Sequence, residues 1–169
     1  MAELEFVFGG TRSGKSRFAL ERARTLGGDA VTFVATARRG DAKLDARIAE
    51  HRRVRPPSWK TVEVDDDLAR TVTDVPPEHV LLIDSITLWA SARFDQTPSL
   101  VDAWTPVSDA IGRRASAVVV VSDEIGLGVV PTTPLGRRFR DELGRLNQIV
   151  AREATSVVFM LAGLPLPLK

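Results

Sequence analysis

Apolar residues concentrate in five short runs, Leu4–Phe8, Ala30–Ala35, Val80–Asp84, Ala117–Ser122 and Ser156–Ala162. The runs are rich in Val, Ile and Phe and do not alternate with polar residues, the pattern of strands covered on both faces. Between them the spacing becomes helical. Ser16 to Leu26 places Ala19, Ala23 and Leu26 on one face, and Leu44 and Ile48 stand at i, i+4 in a second segment. Thr105 is a candidate cap for a helix starting at Pro106, with Val107, Ala110 and Ile111 turned inward. Leu135, Phe139, Leu143, Leu146 and Val150 form a longer stripe suited to core packing. Strands alternating with helices predict an α/β fold with a mostly parallel central sheet and helices on both faces. The Pro-containing stretches Arg55–Ser58, Val75–Pro77 and Val130–Pro134 read as loops. With no repeat, low-complexity tract or linker, residues 1–169 predict one domain.

Composition narrows this picture only slightly. The apolar share of 44% is that of a soluble globular chain, and a net charge of +1 gives no general attraction to nucleic acid or to a membrane surface. With no cysteine, a disulfide framework and a thiolate metal site are both excluded. That suits a reducing compartment. No apolar stretch reaches transmembrane length, and the first residues lack the pattern of a signal peptide. The expectation is a cytoplasmic protein with no membrane span.

Chemistry enters directly after the first apolar run. Gly9-Gly10-Thr11-Arg12-Ser13-Gly14-Lys15-Ser16 fits G-x-x-x-x-G-K-[ST], the P-loop that wraps nucleotide phosphates. Gly9 and Gly14 permit backbone conformations closed to other residues and let the main chain approach an anion. Successive N–H groups and the positive end of the following helix make the anion site. Lys15 adds a point charge for the outer phosphates, and Ser16 offers a hydroxyl to Mg²⁺. A P-loop NTPase-like fold binding a nucleoside triphosphate is therefore predicted.

Two further places carry candidate chemistry. Asp84 ends the run Val80-Leu81-Leu82-Ile83, where a carboxylate would lie outside the carboxyl end of a central strand and act on Mg²⁺. Asp also favours a helix N-cap, which is the structural alternative. The segment from Asp41 to Pro56 places Leu44, Ile48 and His51 on one helical face, with Arg47 one turn before His51 and Arg52, Arg53 and Arg55 after it. A neutral imidazole is a competent nucleophile near neutral pH, and neighbouring cations help keep it unprotonated. On spacing alone, a structural histidine beside a solvated basic face explains the same residues. His79 reads as a loop residue, and Arg137-Arg138-Phe139-Arg140 as the solvated side of a helix. Nucleic-acid binding would need a broader basic footprint. No Asn-Lys-x-Asp is present, which disfavours a regulatory GTPase.

Taken together, these segments resemble the bifunctional adenosylcobinamide kinase / adenosylcobinamide-phosphate guanylyltransferase family of cobalamin biosynthesis. The resemblance runs nearly end to end. It covers Gly9 to Ser16, Val34-Ala35-Thr36-Ala37, Ala46-Arg47-Ile48 through His51 to Pro56, and Trp59-Lys60-Thr61-Val62-Glu63. It continues through Leu82 to Trp89, Val121 to Pro131, Arg138 to Asp141, Gly144 to Gln148 and Ala162-Gly163-Leu164-Pro165-Leu166. The blocks Arg47–Glu63 and Ser122–Pro131 are more specific than the P-loop, which many families share.

The resemblance implies two reactions. A nucleoside triphosphate, ATP or GTP, phosphorylates the aminopropanol hydroxyl of adenosylcobinamide. GTP then transfers GMP to a histidine, releasing pyrophosphate, and adenosylcobinamide phosphate takes the GMP to give adenosylcobinamide-GDP. The family's guanylylated histidine falls on His51. Gly9, Gly10, Thr11, Arg12, Ser13, Gly14, Lys15 and Ser16 fall where the family contacts GTP. So do Ala35, Thr36, Ala37, Arg52, Arg53, Val54, Arg55, Glu63 and Asp84, with Mg²⁺ expected at Ser16 and Asp84. A carboxylate at Glu63 would match the N1–H and exocyclic amine of guanine. A homotrimer is also implied. Three places depart from the pattern: Asp123 stands where Asn is expected, Asp84 where some members carry Glu, and the stretch Arg93 to Thr105 is short and idiosyncratic. The rival readings are a kinase alone, with His51 structural, and a non-catalytic nucleotide-gated binding protein.

Overall fold

Residues 3–37, 55–64 and 67–169 are described by a computed structural model, and their organising feature is one sheet. Its strands are β1 Leu4–Gly9, β2 Val31–Ala35, β3 Lys60–Glu63, β4 Val80–Asp84, β5 Val118–Asp123, β6 Ser156–Leu161 and β7 Leu164–Pro167. They lie in the order β3-β2-β4-β5-β1-β6-β7. Every neighbouring pair is parallel except β6–β7, an antiparallel hairpin at one edge.

Helices α1 Lys15–Gly27, α2 Leu68–Asp74, α3 Ile86–Arg93, α4 Leu100–Gly112 and α5 Pro134–Glu153 cover the two faces. The twofold alternation of strand side chains divides the core accordingly. Leu4 and Phe6, Leu81 and Ile83, and Val118 and Val120 join Leu68, Ile86, Trp104, Leu143 and Val150 on one face. Val7, Phe33, Leu82, Val119 and Val121 join Ala19 and Ala23 of α1 on the other. All four valines from Val118 to Val121 are fully buried, each contributing roughly 1.5–3 kcal/mol over an exposed position. A run without polar interruption is what a strand between two helical layers requires.

The five predicted strands are present with ends shifted by a residue at most. One predicted helix start is wrong. The helix expected from Thr105 and Pro106 begins at Leu100, capped by Ser99, whose hydroxyl accepts from the Asp102 N–H at 3.1 Å. Leu100 and Trp104 extend its apolar face one turn and more upstream, and exposed Pro106 sits inside the helix. The stripe on α5 also starts later than its first leucine, because Leu135 is exposed while Leu143, Leu146 and Val150 are fully buried.

Candidate nucleotide site

β1 ends at Gly9 and the chain turns through Gly10–Gly14 into α1. Two glycines are required by the surroundings. A Cβ on Gly9 would stand 2.5 Å from the Met160 carbonyl oxygen of the adjoining β6, and Gly14 has φ 94°, in the left-handed region. Around Gly10, by contrast, a Cβ would meet nothing within 4 Å, so this side of the loop is open. Behind the loop, the Gly163 N–H donates to the Ser13 carbonyl at 2.9 Å, so the β6–β7 turn braces it.

The start of α1 differs from that of the other described helices. Side chains of Asp67, Ser85, Ser99 and Thr133 cap α2, α3, α4 and α5, whereas α1 follows Gly14 with no side-chain cap. Its first N–H groups carry the positive end of the helix without a local acceptor from a capping side chain, which suits an external anion. Lys15, the first helical residue, is only 4% exposed. Its Nζ lies 2.6 Å from Asp123 Oδ1 and donates to the Gly10 carbonyl at 3.2 Å. Ser16 is half-buried in the same turn, and Thr11 and Arg12 are exposed at the loop crest.

The carboxyl ends of the parallel strands bring the other candidates to this edge. Gly9 pairs in register with Asp123 of β5, while Ala35 pairs with Asp84 of β4 and with Glu63 of β3. Asp84 ends its strand as predicted, and the helix-cap alternative belongs to the next residue, since Ser85 accepts from the Leu88 N–H and caps α3. Thr36 is buried with its hydroxyl engaged. It donates to the Ser85 carbonyl at 2.6 Å and accepts from the Ser85 N–H at 2.9 Å, tying the ends of β2 and β4 together. Ala37 follows, half-buried, at the limit of the described segment.

Glu63 is farther away. The strand order puts four interstrand steps between it and Gly9, roughly 19 Å at about 4.8 Å per step. The P-loop and Glu63 therefore stand at separate places along the carboxyl edge of the sheet. On the Glu63 side, the Arg55 guanidinium stacks 3.2 Å from the Phe33 ring centroid. His51, Arg52, Arg53 and Val54 lie outside the described residues.

Ser16 and Asp84 offer hard oxygen donors, and the described residues contain no group of three or more His, Cys, Asp or Glu side chains suited to holding a metal ion alone. Such a donor set fits Mg²⁺, which keeps several waters and takes one or two carboxylates beside phosphate oxygens. Transition metals held by imidazole or thiolate fit it less well.

In sequence Asp123 stands out only as a departure from the family pattern, without a role. Asp123 ends an apolar strand just as Asp84 does, so the same positional criterion selects it. His79 is structural: its Nδ1 lies 2.9 Å from the Thr32 hydroxyl, and its carbonyl accepts from Arg114. The basic run on α5 is largely exposed as expected, although Arg138 also lies over the Phe94 ring at 4.4 Å.

Comparison with known proteins agrees with this geometry. The sequence profile of the family described as cobinamide kinase / cobinamide phosphate guanyltransferase matches residues 5–168. The bifunctional adenosylcobalamin biosynthesis protein CobP of Pseudomonas aeruginosa is 41% identical over 98% of this chain and 96% of its own length. CobU of Escherichia coli, another protein described as a bifunctional adenosylcobalamin biosynthesis protein, is 34% identical over 96% of this chain and 98% of its own. Among solved structures, an ATPase of a bacterial type III secretion system superposes with a TM-score of 0.56 at 14% identity. That match covers 93% of this chain and 50% of the ATPase, and it shows a shared P-loop fold.

Proposed function

The chain belongs to the cobinamide kinase / cobinamide phosphate guanyltransferase family, and we propose that both of its reactions take place along the carboxyl edge of the sheet. It is an enzyme of adenosylcobalamin biosynthesis with kinase and guanylyltransferase activities. The observation that carries the site assignment is the P-loop: an uncapped α1 N-terminus and a buried Lys15, beside strand ends that carry Asp84 and Asp123.

In the kinase step the corrinoid hydroxyl attacks the γ-phosphorus of ATP or GTP. The new O–P bond replaces the bond to the β-phosphate oxygen, the nucleoside diphosphate leaves, and the hydroxyl proton passes to solvent. Gly9 to Ser16 hold the phosphates through backbone N–H groups, and Lys15 offsets charge on the transferred group. Ser16 and Asp84 would hold Mg²⁺, which supplies charge neutralisation across the phosphate oxygens.

In the guanylyl step an imidazole nitrogen of His51 attacks the α-phosphorus of GTP, and pyrophosphate leaves. A phosphate oxygen of adenosylcobinamide phosphate then displaces the histidine, restoring free imidazole and giving the GDP-linked product. A covalent carrier splits one transfer between two anions into two steps. Arg52, Arg53 and Arg55, with the backbone at Val54, are assigned to the donor phosphates. Ala35, Thr36 and Ala37 form the floor at the β2 end, and Glu63 reads guanine through its carboxylate.

A single nucleotide-binding domain over residues 1–169 is proposed, acting in the cytoplasm and without a nucleic-acid partner. No described helix is long and apolar enough to cross a membrane. A homotrimer is proposed for the assembly. The exposed Leu127, Val129, Val130 and Leu135, close together in sequence, support an assembled state, because exposed apolar side chains gain from being covered.

Incubation with Mg²⁺ and GTP labelled at the α-phosphate tests the covalent step. An acid-labile, base-stable protein label is expected in the wild type and absent from His51→Ala. A folded wild-type protein that binds GTP but takes no label would leave only the kinase reading.

A further inference from the structure

Lys15 is buried, and a buried ammonium needs partners. In this chain a carboxylate 2.6 Å away supplies the main one, Asp123, whose side chain is 23% exposed while that of Lys15 is 5% exposed. We propose that Asp123 is a clamp on the P-loop lysine, which competes with nucleotide phosphate for the Lys15 ammonium and weakens nucleotide binding. The proposal rests on the reading of the P-loop as the nucleotide site.

The backbone beneath Asp123 is pinned from three elements. Its N–H donates to the Thr87 hydroxyl of α3 at 2.8 Å, and its carbonyl accepts from Asn147 Nδ2 of α5 at 3.1 Å. Asn147 is itself buried, and its Oδ1 accepts from the Ser122 hydroxyl at 2.7 Å. The next residue, Glu124, donates its N–H to the Gly9 carbonyl at 3.0 Å, fixing β5 to the first residue of the loop. A short side chain on such a backbone has little room to withdraw.

When phosphate arrives, the long Lys15 side chain can turn toward it, but the Asp123 charge stays beside the loop. Two costs follow. The Lys15–Asp123 pair must be weakened, and the carboxylate repels the incoming anion at short range in a partly dry site. A neutral residue of the same shape would remove both. Asp123 is thus a positioning residue for Lys15, setting how tightly nucleotide is held between turnovers.

The test is calorimetric titration of the full-length protein with GDP and Mg²⁺, together with thermal unfolding of each protein without nucleotide. Asp123→Asn keeps the shape and removes the charge, and Asp123→Ser is a second variant should the first fold poorly. We expect GDP to bind at least tenfold tighter to Asp123→Asn while its nucleotide-free Tm falls. Opposite signs are the signature of a clamp, since an ion pair with only a structural role would lower both stability and affinity. Affinity that is unchanged or weaker in folded variants would overturn the proposal. Lys15→Ala separates the premise from the clamp: if it binds GDP as tightly as wild type, the P-loop assignment itself fails. If it binds more weakly while Asp123→Asn shows no gain, only the clamp fails.

Discussion

Arg114 shows how much one side chain can hold. Its Nη1 donates to the carbonyls of Val72 and Val75 at 2.8 and 3.0 Å, and its Nη2 to those of Pro76 and His79 at 2.8 and 2.7 Å. These acceptors are the last turn of α2 and the loop that delivers the chain into β4, so the fork sets the entry of the strand that carries Asp84. Burial lowers the guanidinium pKa from its ordinary value, with Glu78 acting in the opposite direction, and an arginine stays charged through such a shift. A lysine offers three N–H donors on a single nitrogen, where four carbonyls are met by the two outer nitrogens of a planar fork. Arg114→Lys is expected to cost about 2–4 kcal/mol, and thermal unfolding should register it as a Tm lower by roughly 5–15 °C. A shift inside measurement error would show that the loop holds itself. Nothing in the pair Arg113-Arg114 announces this, because Arg113 is exposed and Arg114 is 7% exposed. Burial of a charge depends on carbonyls some 40 residues away in sequence, which local pattern does not encode.

At the scale of elements, legibility followed burial. Central strands such as Val118–Asp123 were visible because two helical layers demand a continuous apolar run. The edge strand Lys60–Glu63 escaped because it is short and its end residues are exposed. α4 was visible but misplaced, since Pro at the first turn is a common start signal and Thr105 precedes one. Ser99 is an equally good cap, and fully buried Trp104 decides between them because its place on the core-facing stripe requires the earlier start. Two substitutions distinguish the starts. Ser99→Ala should cost about 1 kcal/mol by leaving the Asp102 N–H without its cap. Thr105→Ala lies on an exposed mid-helix position and should fall within about 0.5 kcal/mol of wild type. Equal losses in denaturant titration would contradict a helix start at Leu100.

Across the whole molecule, the P-loop was legible from eight consecutive residues, while the pairing of Lys15 with Asp123 and the bracing of Ser13 by Gly163 come only from topology. Parallel crossovers place β5 and β6 on either side of β1, so residues remote in sequence meet at the loop. The same topology leaves β7 as an open edge, and its sequence Leu164-Pro165-Leu166-Pro167 is suited to that place. In the antiparallel pairing the Leu168 N–H donates inward to the Val157 carbonyl. Residues alternate along the strand, so Pro165 and Pro167 occupy the positions whose N–H groups would point outward. Neither has an N–H to offer, and the edge presents no regular row of donors to another strand. Leu161, Leu164, Leu166 and Leu168 are all exposed nearby, which would otherwise make this hairpin a template for association. Replacing both prolines with threonine restores the outward donors and raises strand propensity while preserving the inward hydrogen bonds. Sedimentation velocity should then reveal concentration-dependent species larger than the wild-type assembly. If the double variant sediments as the wild type does at every concentration, the prolines are not what keeps this edge from pairing.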